Sequence, residues 1–568
     1  MSVALAQEWL AQDPDSETRA ELQTLLDDPS RAEELVERFN GSLEFGTAGL
    51  RGVLGCGPQR MNRVLVQKVS AGLADTMLKQ IDRAQERGIV IGYDGRHKSR
   101  IFAEDTAAVF LGKGFRVYLS TVVVPTPVVA FGVLDYGAAG GVMVTASHNP
   151  PEYNGYKVYW ENGAQIIPPQ DKDIATSIEA VSTISDLTLG SIEHARTDGM
   201  LVDLDETLIS RYMDGVSKLS IHKGILEKVP LRVAYTPMHG VGAPFVREAL
   251  KRVGLVDLHI EPSQEEPDGD FPTVNFPNPE EEGAMDLVFA LAKKVKADLV
   301  LANDPDADRL AVALPVEGGE YRMLSGDQIG VLLADYLLST GTGDKNRLLA
   351  TTLVSSQLLG IMAESHGISY QTTLTGFKWI ANAAIDALAK NDTQFVMGYE
   401  EALGYSVGDL VRDKDGVSAV MLFCELAAFA KSESSTVLER LDALYRKHGV
   451  FSTAQESLVL PGADGAAQIQ AYLKKFRDRP PAEIGGFKVE RSYDLLHGAM
   501  DLPPSNVLVY FLEGNRRVIM RPSGTEPKLK CYYEVCEPVD SDEPVAAAVT
   551  RAQSALAMLS KAHQAMLG

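Results

Sequence analysis

The stretch Val144-Thr145-Ala146-Ser147-His148-Asn149-Pro150-Pro151-Glu152-Tyr153-Asn154-Gly155-Tyr156-Lys157 puts a hydroxyl nucleophile in a turn just after an apolar run, 141–144. Pro150 and Pro151 forbid helix continuation and stiffen the backbone around the serine. A serine on a rigid turn at a strand end can be held for in-line phosphoryl transfer; one in a floppy linker cannot. His148 is adjacent and Lys157 lies ten residues on, so a proton-transfer group and a charge-stabilising group accompany the hydroxyl. Taken alone, a Ser-His pair in a turn also fits ordinary surface chemistry.

A second constellation, Asn303-Asp304-Pro305-Asp306-Ala307-Asp308-Arg309, directly follows the apolar strand 297–302. Three carboxylates at alternate positions converge on one hard cation when their loop curls around it. An EF-hand begins the same way but needs glycine at its sixth position and glutamate at its twelfth. Arg309 and Pro315 stand there, which excludes it. A solvated acidic turn is the plain alternative. The strand-terminal position and the following arginine favour a Mg²⁺ site, with Arg309 available to phosphate.

Arg521-Pro522-Ser523-Gly524-Thr525-Glu526-Pro527-Lys528 combines a guanidinium, two hydroxyls and a glycine between prolines, which suits either an anion cradle or a hairpin turn. Gly398-Tyr399-Glu400-Glu401-Ala402-Leu403-Gly404-Tyr405 pairs carboxylates in a glycine-flanked loop, an arrangement that accepts well from sugar hydroxyls. Phe45-Gly46-Thr47-Ala48-Gly49-Leu50-Arg51-Gly52 and Thr375-Gly376-Phe377-Lys378 add a loop arginine and a strand-end lysine. Neither GxxxxGK[ST] nor a helix-opening GxGxxG occurs, so nucleotide and dinucleotide binding find no support.

These residues need elements to position them. The 568 residues exceed what one core can use, and length alone implies about four domains. A formal charge of −23 argues against nucleic acid or anionic membrane as a partner, yet leaves room for a local basic cleft that binds a phosphorylated substrate. No apolar run approaches the roughly 18 residues of a membrane span. The first basic residue is Arg19 and acidic residues interrupt the early apolar positions, so no signal peptide is expected and the cytoplasm is the expected location. Cysteines 56, 424, 531 and 536 form no CxxC pair and read as reduced thiols.

Residues 1–39 read as an acidic, amphipathic helical extension. A strand–turn–helix–strand pattern then recurs three times, beginning near Gly88, Leu231 and Leu348, each a βαβ-like unit for a mixed or parallel sheet. The tail differs, with apparent antiparallel strands near 506–512, 517–521 and 529–535 and a closing helix over 544–566. The expected fold is α/β: three related α/β domains with mixed sheets plus a C-terminal α+β domain. The boundaries fall at 40–215 (serine loop), 216–325 (aspartate loop), 326–455 (paired-glutamate loop) and 456–568 (Arg521 loop).

In this order, one signature per domain from about residue 40 to the C-terminus, the chain resembles the four-domain α-D-phosphohexomutases. The resemblance implies that Ser147 is phosphorylated in the resting enzyme and holds one Mg²⁺ together with Asp304, Asp306 and Asp308. It implies that Arg51, Lys157, Arg309 and Lys378 surround the reacting phosphoryl group or handle protons, and that His148 supports the serine loop. Thr375, Gly376, Lys378, Glu400, Ala402, Arg521, Ser523, Gly524, Thr525 and Lys530 then form the substrate-binding set. The implied cycle passes through a bisphosphorylated sugar that reorients, with a mobile fourth domain retaining it.

Many glucose-specific members read Glu-Glu-Ser in the sugar loop, where this chain reads Glu400-Glu401-Ala402. That form resembles the subgroup of bacterial phosphoglucomutases and phosphopentomutases. The expected reaction is α-D-glucose 1-phosphate to glucose 6-phosphate, with glucose 1,6-bisphosphate as activator. A phosphopentomutase is the alternative, with a phosphomannomutase ranked below it, and the enzyme is expected as a monomer or homodimer. A non-catalytic phosphosugar-binding protein would show no turnover when supplied with metal and bisphosphate. A phosphatase would release inorganic phosphate as fast as it isomerises.

Overall fold

The computed structural model describes residues 2–46, 49–204, 206–339, 345–460, 465–523 and 528–567. The chain divides into two compact units, residues 1–324 with 404–429, and residues 325–403 with 430–568.

In the first unit, β1 (Leu50–Val53), β2 (Ile89–Tyr93), β3 (Val117–Ser120), β4 (Gly140–Val144), β5 (Tyr153–Trp160) and β6 (Leu201–Leu204) form one sheet in the order β1-β5-β4-β2-β3-β6. β2 runs parallel to β3 and β4, and β5 returns antiparallel between β4 and β1. Alternation along β2 explains its unbroken apolar run. Ile89, Ile91 and Tyr93 enter a core with Leu65, Leu73, Phe102 and Phe110, while Val90 lies against Gly132 of helix Thr126–Tyr136. Both faces are therefore covered.

A second sheet takes β7 (Val233–Thr236), β8 (Leu258–Ile260), β9 (Leu299–Ala302), β10 (Ala311–Pro315) and β11 (Tyr321–Met323) in the order β11-β10-β9-β7-β8. β9 and β10 are antiparallel with Ala302 opposite Ala311, so residues 303–310 form the loop of a hairpin. The N-terminal helices Ser2–Gln12, Ser16–Asp27 and Ala32–Phe39 gather Trp9, Leu22, Leu25, Leu35 and Phe39 over Cys56, Val64 and Ile184. Lys98, just before helix Ser99–Gly112, donates to Asp15 at 3.1 Å and Glu17 at 2.6 Å of that extension.

In the second unit, β12 (Arg347–Thr352) lies parallel to β13 (Ser369–Thr373) and β14 (Gln394–Glu400). The next strand, β15 (Gly404–Val407), belongs to the first unit. The tail is an antiparallel sheet of β16 (Val450–Val459), β17 (Glu483–Ile484), β18 (Phe487–Asp494), β19 (Leu508–Leu512), β20 (Arg516–Pro522) and β21 (Lys528–Glu537), ordered β16-β21-β20-β19-β18-β17. The three expected βαβ units and the expected α+β tail are present. β16 to β18 were not anticipated, because their polar, part-exposed sequences carry little apolar alternation.

Arg517 and Glu534 face each other across β20 and β21, both buried. The guanidinium donates to Leu353 O at 2.7 Å, Ser355 O at 2.5 Å and Glu534 at 2.8 Å. Glu534 also accepts from Ser356 Oγ at 2.7 Å and Gln357 N at 2.8 Å. The pair thus fastens the tail sheet to loop 353–357. Arg517→Met leaves a buried carboxylate unpaired, so a loss of about 3–5 kcal/mol is expected. Denaturant titration should show the double variant Arg517→Met/Glu534→Met losing less than the single one.

Candidate active site

Ser147 follows the end of β4 in a left-handed conformation, φ 54°. Its N–H donates to Thr145 Oγ1 at 2.8 Å, which donates in turn to buried Asp94 at 2.6 Å. The serine Oγ donates to Asp304 Oδ2 at 2.9 Å and lies 3.2 Å from His148 Nδ1. Burial, with Arg309 and Arg51 nearby, holds the His148 imidazole well below its usual range, so the ring is neutral. Arg51 sits on β1 opposite Gly155 of β5 and donates to Asn149 Oδ1 at 3.1 Å. Gly155 is required there, since a Cβ would come within 2.6 Å of Thr145 O and 2.8 Å of Leu50 O.

Asp304, Asp306 and Asp308 are each 0% exposed, and their oxygens lie within 4.8 Å of one another. Lys157 reaches in from β5, opposite Met143 of β4, and donates to Asp306 at 2.7 Å and Asp308 at 2.9 Å. Thr126, at the start of its helix, donates its hydroxyl to Asp306 and its N–H to Asp306 O. Arg309 N donates to Asp304 at 3.0 Å, and its guanidinium stands 3.9 Å from Asp304 and 4.0 Å from Asp308. Burial and the neighbouring carboxylates raise Asp304 well above the usual carboxylate range. Burial also pushes Asp308 up, but Lys157, Lys414 and Arg309 outweigh it and hold that group low. Lys157 is raised despite its burial, because Asp306 and Asp308 flank it, and so remains an ammonium.

The oxygen donor set suits a hard divalent cation. Asp306 Oδ1 and Asp308 Oδ1 are buried with no hydrogen-bond donor among the described residues, and both carboxylates belong to the three-aspartate cluster. The residues present therefore fit the expected metal.

Sequence reasoning missed Lys414. Its Nζ lies 3.2 Å from Asp308, beside Asp413, which accepts from Tyr159 at 2.7 Å and Gln165 at 2.6 Å. The only sequence signal was the charged run Arg412-Asp413-Lys414-Asp415 before helix Gly416–Ser432. Such a run reads as a helix cap, and Asp415 does accept from Val417 N and Ser418 N. Nothing in the run ties it to an aspartate a hundred residues earlier.

Residues 42–185, 210–317 and 325–448 match the phosphoglucomutase/phosphomannomutase alpha/beta/alpha domains I, II and III, and residues 461–552 match the C-terminal domain. The chain belongs to the phosphoglucomutase/phosphomannomutase family. A Schizosaccharomyces pombe protein named probable phosphoribomutase is 39% identical, with 93% of this chain and 92% of that one covered. The human phosphopentomutase is 36% identical over 94% and 92%. A Haemophilus influenzae protein named probable phosphomannomutase is 41% identical over 86% and 96%. The chain is thus a phosphosugar mutase, an isomerase that moves a phosphoryl group within its substrate.

This mutase carries its remaining candidates in the second unit. Gly376 N donates to Glu400 Oε1 at 2.9 Å, joining the loop of Thr375 and Lys378 to the paired glutamates, and Ala402 is half-buried beyond them. Glu401 turns inward and accepts from Ser355 Oγ at 2.9 Å and Thr352 Oγ1 at 3.2 Å. Arg521 of β20 and Lys530 of β21 are directly opposite, two cations on one face of the sheet. Ser523 N donates to Lys528 O at 2.7 Å; Gly524 and Thr525 lie outside the described residues. Burial and the Glu401 charge push the Tyr532 phenol up to about 12, while Arg521 pulls it the other way.

Burial, reinforced by Glu400 and Asp327, pushes Glu401 up to about 7 from an ordinary 4.5. The folded chain therefore binds a proton there that the unfolded chain has already released. That contribution to stability is complete below about pH 4.5 and is lost as pH rises through 7. Glu401→Gln should gain about 2 °C or more in Tm relative to the parent between pH 5 and pH 8. A Tm difference independent of pH would contradict this reading.

Proposed function

We propose that the mutase interconverts ribose or deoxyribose 1-phosphate and the corresponding 5-phosphate, with Ser147 as the phosphoryl carrier. The observation that carries the carrier assignment is the Ser147 hydroxyl 2.9 Å from Asp304, in a turn shared with His148, with Lys157 2.7 Å from Asp306 of the same aspartate cluster. In the first step the Oγ–P bond of the phosphoserine breaks as the free hydroxyl oxygen of the sugar phosphate bonds to phosphorus; that hydroxyl gives up its proton and the released Oγ takes one up. In the return step Ser147 attacks the other phosphate of the bisphosphorylated sugar. The Oγ–P bond forms and the sugar O–P bond breaks. The Oγ proton passes to His148 Nδ1, 3.2 Å away, and the departing sugar oxygen takes up a proton to leave as the free hydroxyl.

Lys157, which keeps its proton, with Arg309 and Arg51, supplies positive charge for the equatorial oxygens of a charge-dispersed transition state. Asp304, Asp306 and Asp308 would hold Mg²⁺ together with Ser147, and the ion would add charge neutralisation there. Arg521, Ser523 and Lys530 take the non-reacting phosphate, with Gly524 and Thr525 assigned to the same role by the family resemblance. Glu400 and the Thr375–Lys378 loop take the sugar hydroxyls. The matching bisphosphate is the proposed activator.

The pentose reading is supported by two relatives that run nearly the length of the chain, named for ribose and pentose. Ala402 supports it as well, because its methyl offers no hydrogen bond to a larger sugar. A hexose 1-phosphate, glucose first, is the second reading. A hexose is favoured by the 41% identity to the Haemophilus protein named for mannose, and glucose is placed first by the resemblance of the Glu400-Glu401-Ala402 loop to the bacterial phosphoglucomutase subgroup.

Ser147→Ala should lose at least about a thousandfold in kcat while its circular dichroism stays that of the parent. Substantial residual isomerisation would sink the carrier assignment. Side-by-side kcat/KM for ribose 1-phosphate and glucose 1-phosphate, each with Mg²⁺ and its bisphosphate, decides the sugar. A tenfold preference for ribose, about 1.4 kcal/mol of transition-state binding, is the expected result. The opposite preference would make it a glucose enzyme.

A further inference from the structure

The turn 94–99, between β2 and helix Ser99–Gly112, carries no residue given a role in the reaction so far. Arg96 in it is buried, its side chain 1% exposed. One terminal nitrogen donates to Pro150 O at 2.8 Å and Tyr153 O at 3.3 Å; the other donates to Ser147 O at 2.6 Å and to Asn149 O. Four carbonyls from residues 147–153 thus converge on one guanidinium. Asp94 opposes it at 3.4 Å and is the same carboxylate that receives the Thr145 hydroxyl. The ring of Phe271, from the second sheet's domain, covers the guanidinium face at 4.8 Å.

This geometry answers a specific need. A non-glycine residue in the left-handed region costs roughly 1–2 kcal/mol, and Ser147 is held there. Carbonyl dipoles pointed at one spot repel unless a cation sits between them, and a buried cation is tolerated only when its donors are satisfied. A planar fork meets the first demand with its two terminal nitrogens, whose donors are satisfied, while Nε makes no hydrogen bond among the described residues and faces the Asp94 carboxylate at 3.4 Å. An ammonium, with three donors on a compact head, does not meet that demand.

We propose that Arg96 is a positioning residue for the nucleophile. By gathering the carbonyls of the turn it fixes the left-handed Ser147 so that Oγ points at Asp304, without itself touching the reacting atoms. The inference rests on Ser147 as the phosphoryl carrier.

The test compares Arg96→Lys, Phe271→Leu and Ser147→Ala with the parent full-length enzyme, using a sugar 1-phosphate, Mg²⁺ and the matching bisphosphate. Steady-state constants are accompanied by single-turnover formation of phosphoserine from the bisphosphate, read by intact mass, and by active-site titration of the folded fraction. Arg96→Lys should lose about 100-fold in kcat per folded site, with KM within about threefold and phosphoserine formation slowed by the same factor as kcat. Phe271→Leu, which leaves the guanidinium in place but uncovers it, should lose about threefold or more in kcat at unchanged KM. A loss of activity that merely tracks the folded fraction, or an Arg96→Lys kcat within about twofold of the parent, overturns the proposal. If Arg96→Lys does not fold, Phe271→Leu decides alone, and a parent-like kcat there overturns it. An inactive Ser147→Ala beside an unimpaired Arg96→Lys removes only this inference; an active Ser147→Ala removes the carrier reading.

Discussion

Three fully buried carboxylates share one pocket, and the architecture around them answers their mutual repulsion. Like charges this close and this deeply buried cannot all remain ionised unless cations or strong donors surround them. The chain supplies Lys157 from a strand of the first sheet, Lys414 from a later loop, the Thr126 hydroxyl from a helix start and the Arg309 backbone from the aspartate loop itself. Each donor comes from a different element, so the pocket exists only when those elements have packed. The same compensation keeps Lys157 protonated and Asp308 ionised, the charge states that the proposed transfer uses.

The aspartate loop is also held mechanically. Asn303 accepts from Tyr235 at 2.8 Å and donates to Arg309 O, closing the loop across its base. Gly416 packs against it so closely that a Cβ would come within 2.4 Å of Arg309 O and 2.7 Å of Ala307 O. On the other side Val241 N donates to Pro305 O at 2.9 Å. Rigid loops of this kind are what positional catalysis needs, because electrostatic stabilisation falls off when the stabilising groups can drift.

Much of this was legible in the sequence, and the part that was not has a common cause. Ser147, His148, Lys157, Asp304, Asp306, Asp308 and Arg309 stand in two contiguous strings whose residue types announce their chemistry, and the structure brings the strings together in the first unit. The βαβ units were legible because buried parallel strands read as unbroken apolar runs next to helices. Arg96, Asp94, Thr126 and Lys414 were not legible, because each acts only through a contact made across dozens to hundreds of residues. Arg96 sits in a short polar turn, Thr126 beside a proline at a helix start, and Lys414 in a charged run that also caps a helix. In one dimension such residues look like punctuation. The β16 to β18 strands escaped for a different reason: half-exposed strands of a one-sided sheet carry polar residues that blur the period of two.

The segment Gly404–Phe429 sits within the sequence match to the third domain yet packs as part of the first unit. The heritable module and the folded module therefore have different borders. A recombination event that replaced residues 325–448 as a block would import a foreign Lys414 and a foreign Gly416 against a resident aspartate loop. Exchange between relatives is then tolerated only where both partners already agree on that lysine, that glycine and the loop they support. Selection would act on the match between two distant stretches of chain rather than on either stretch alone.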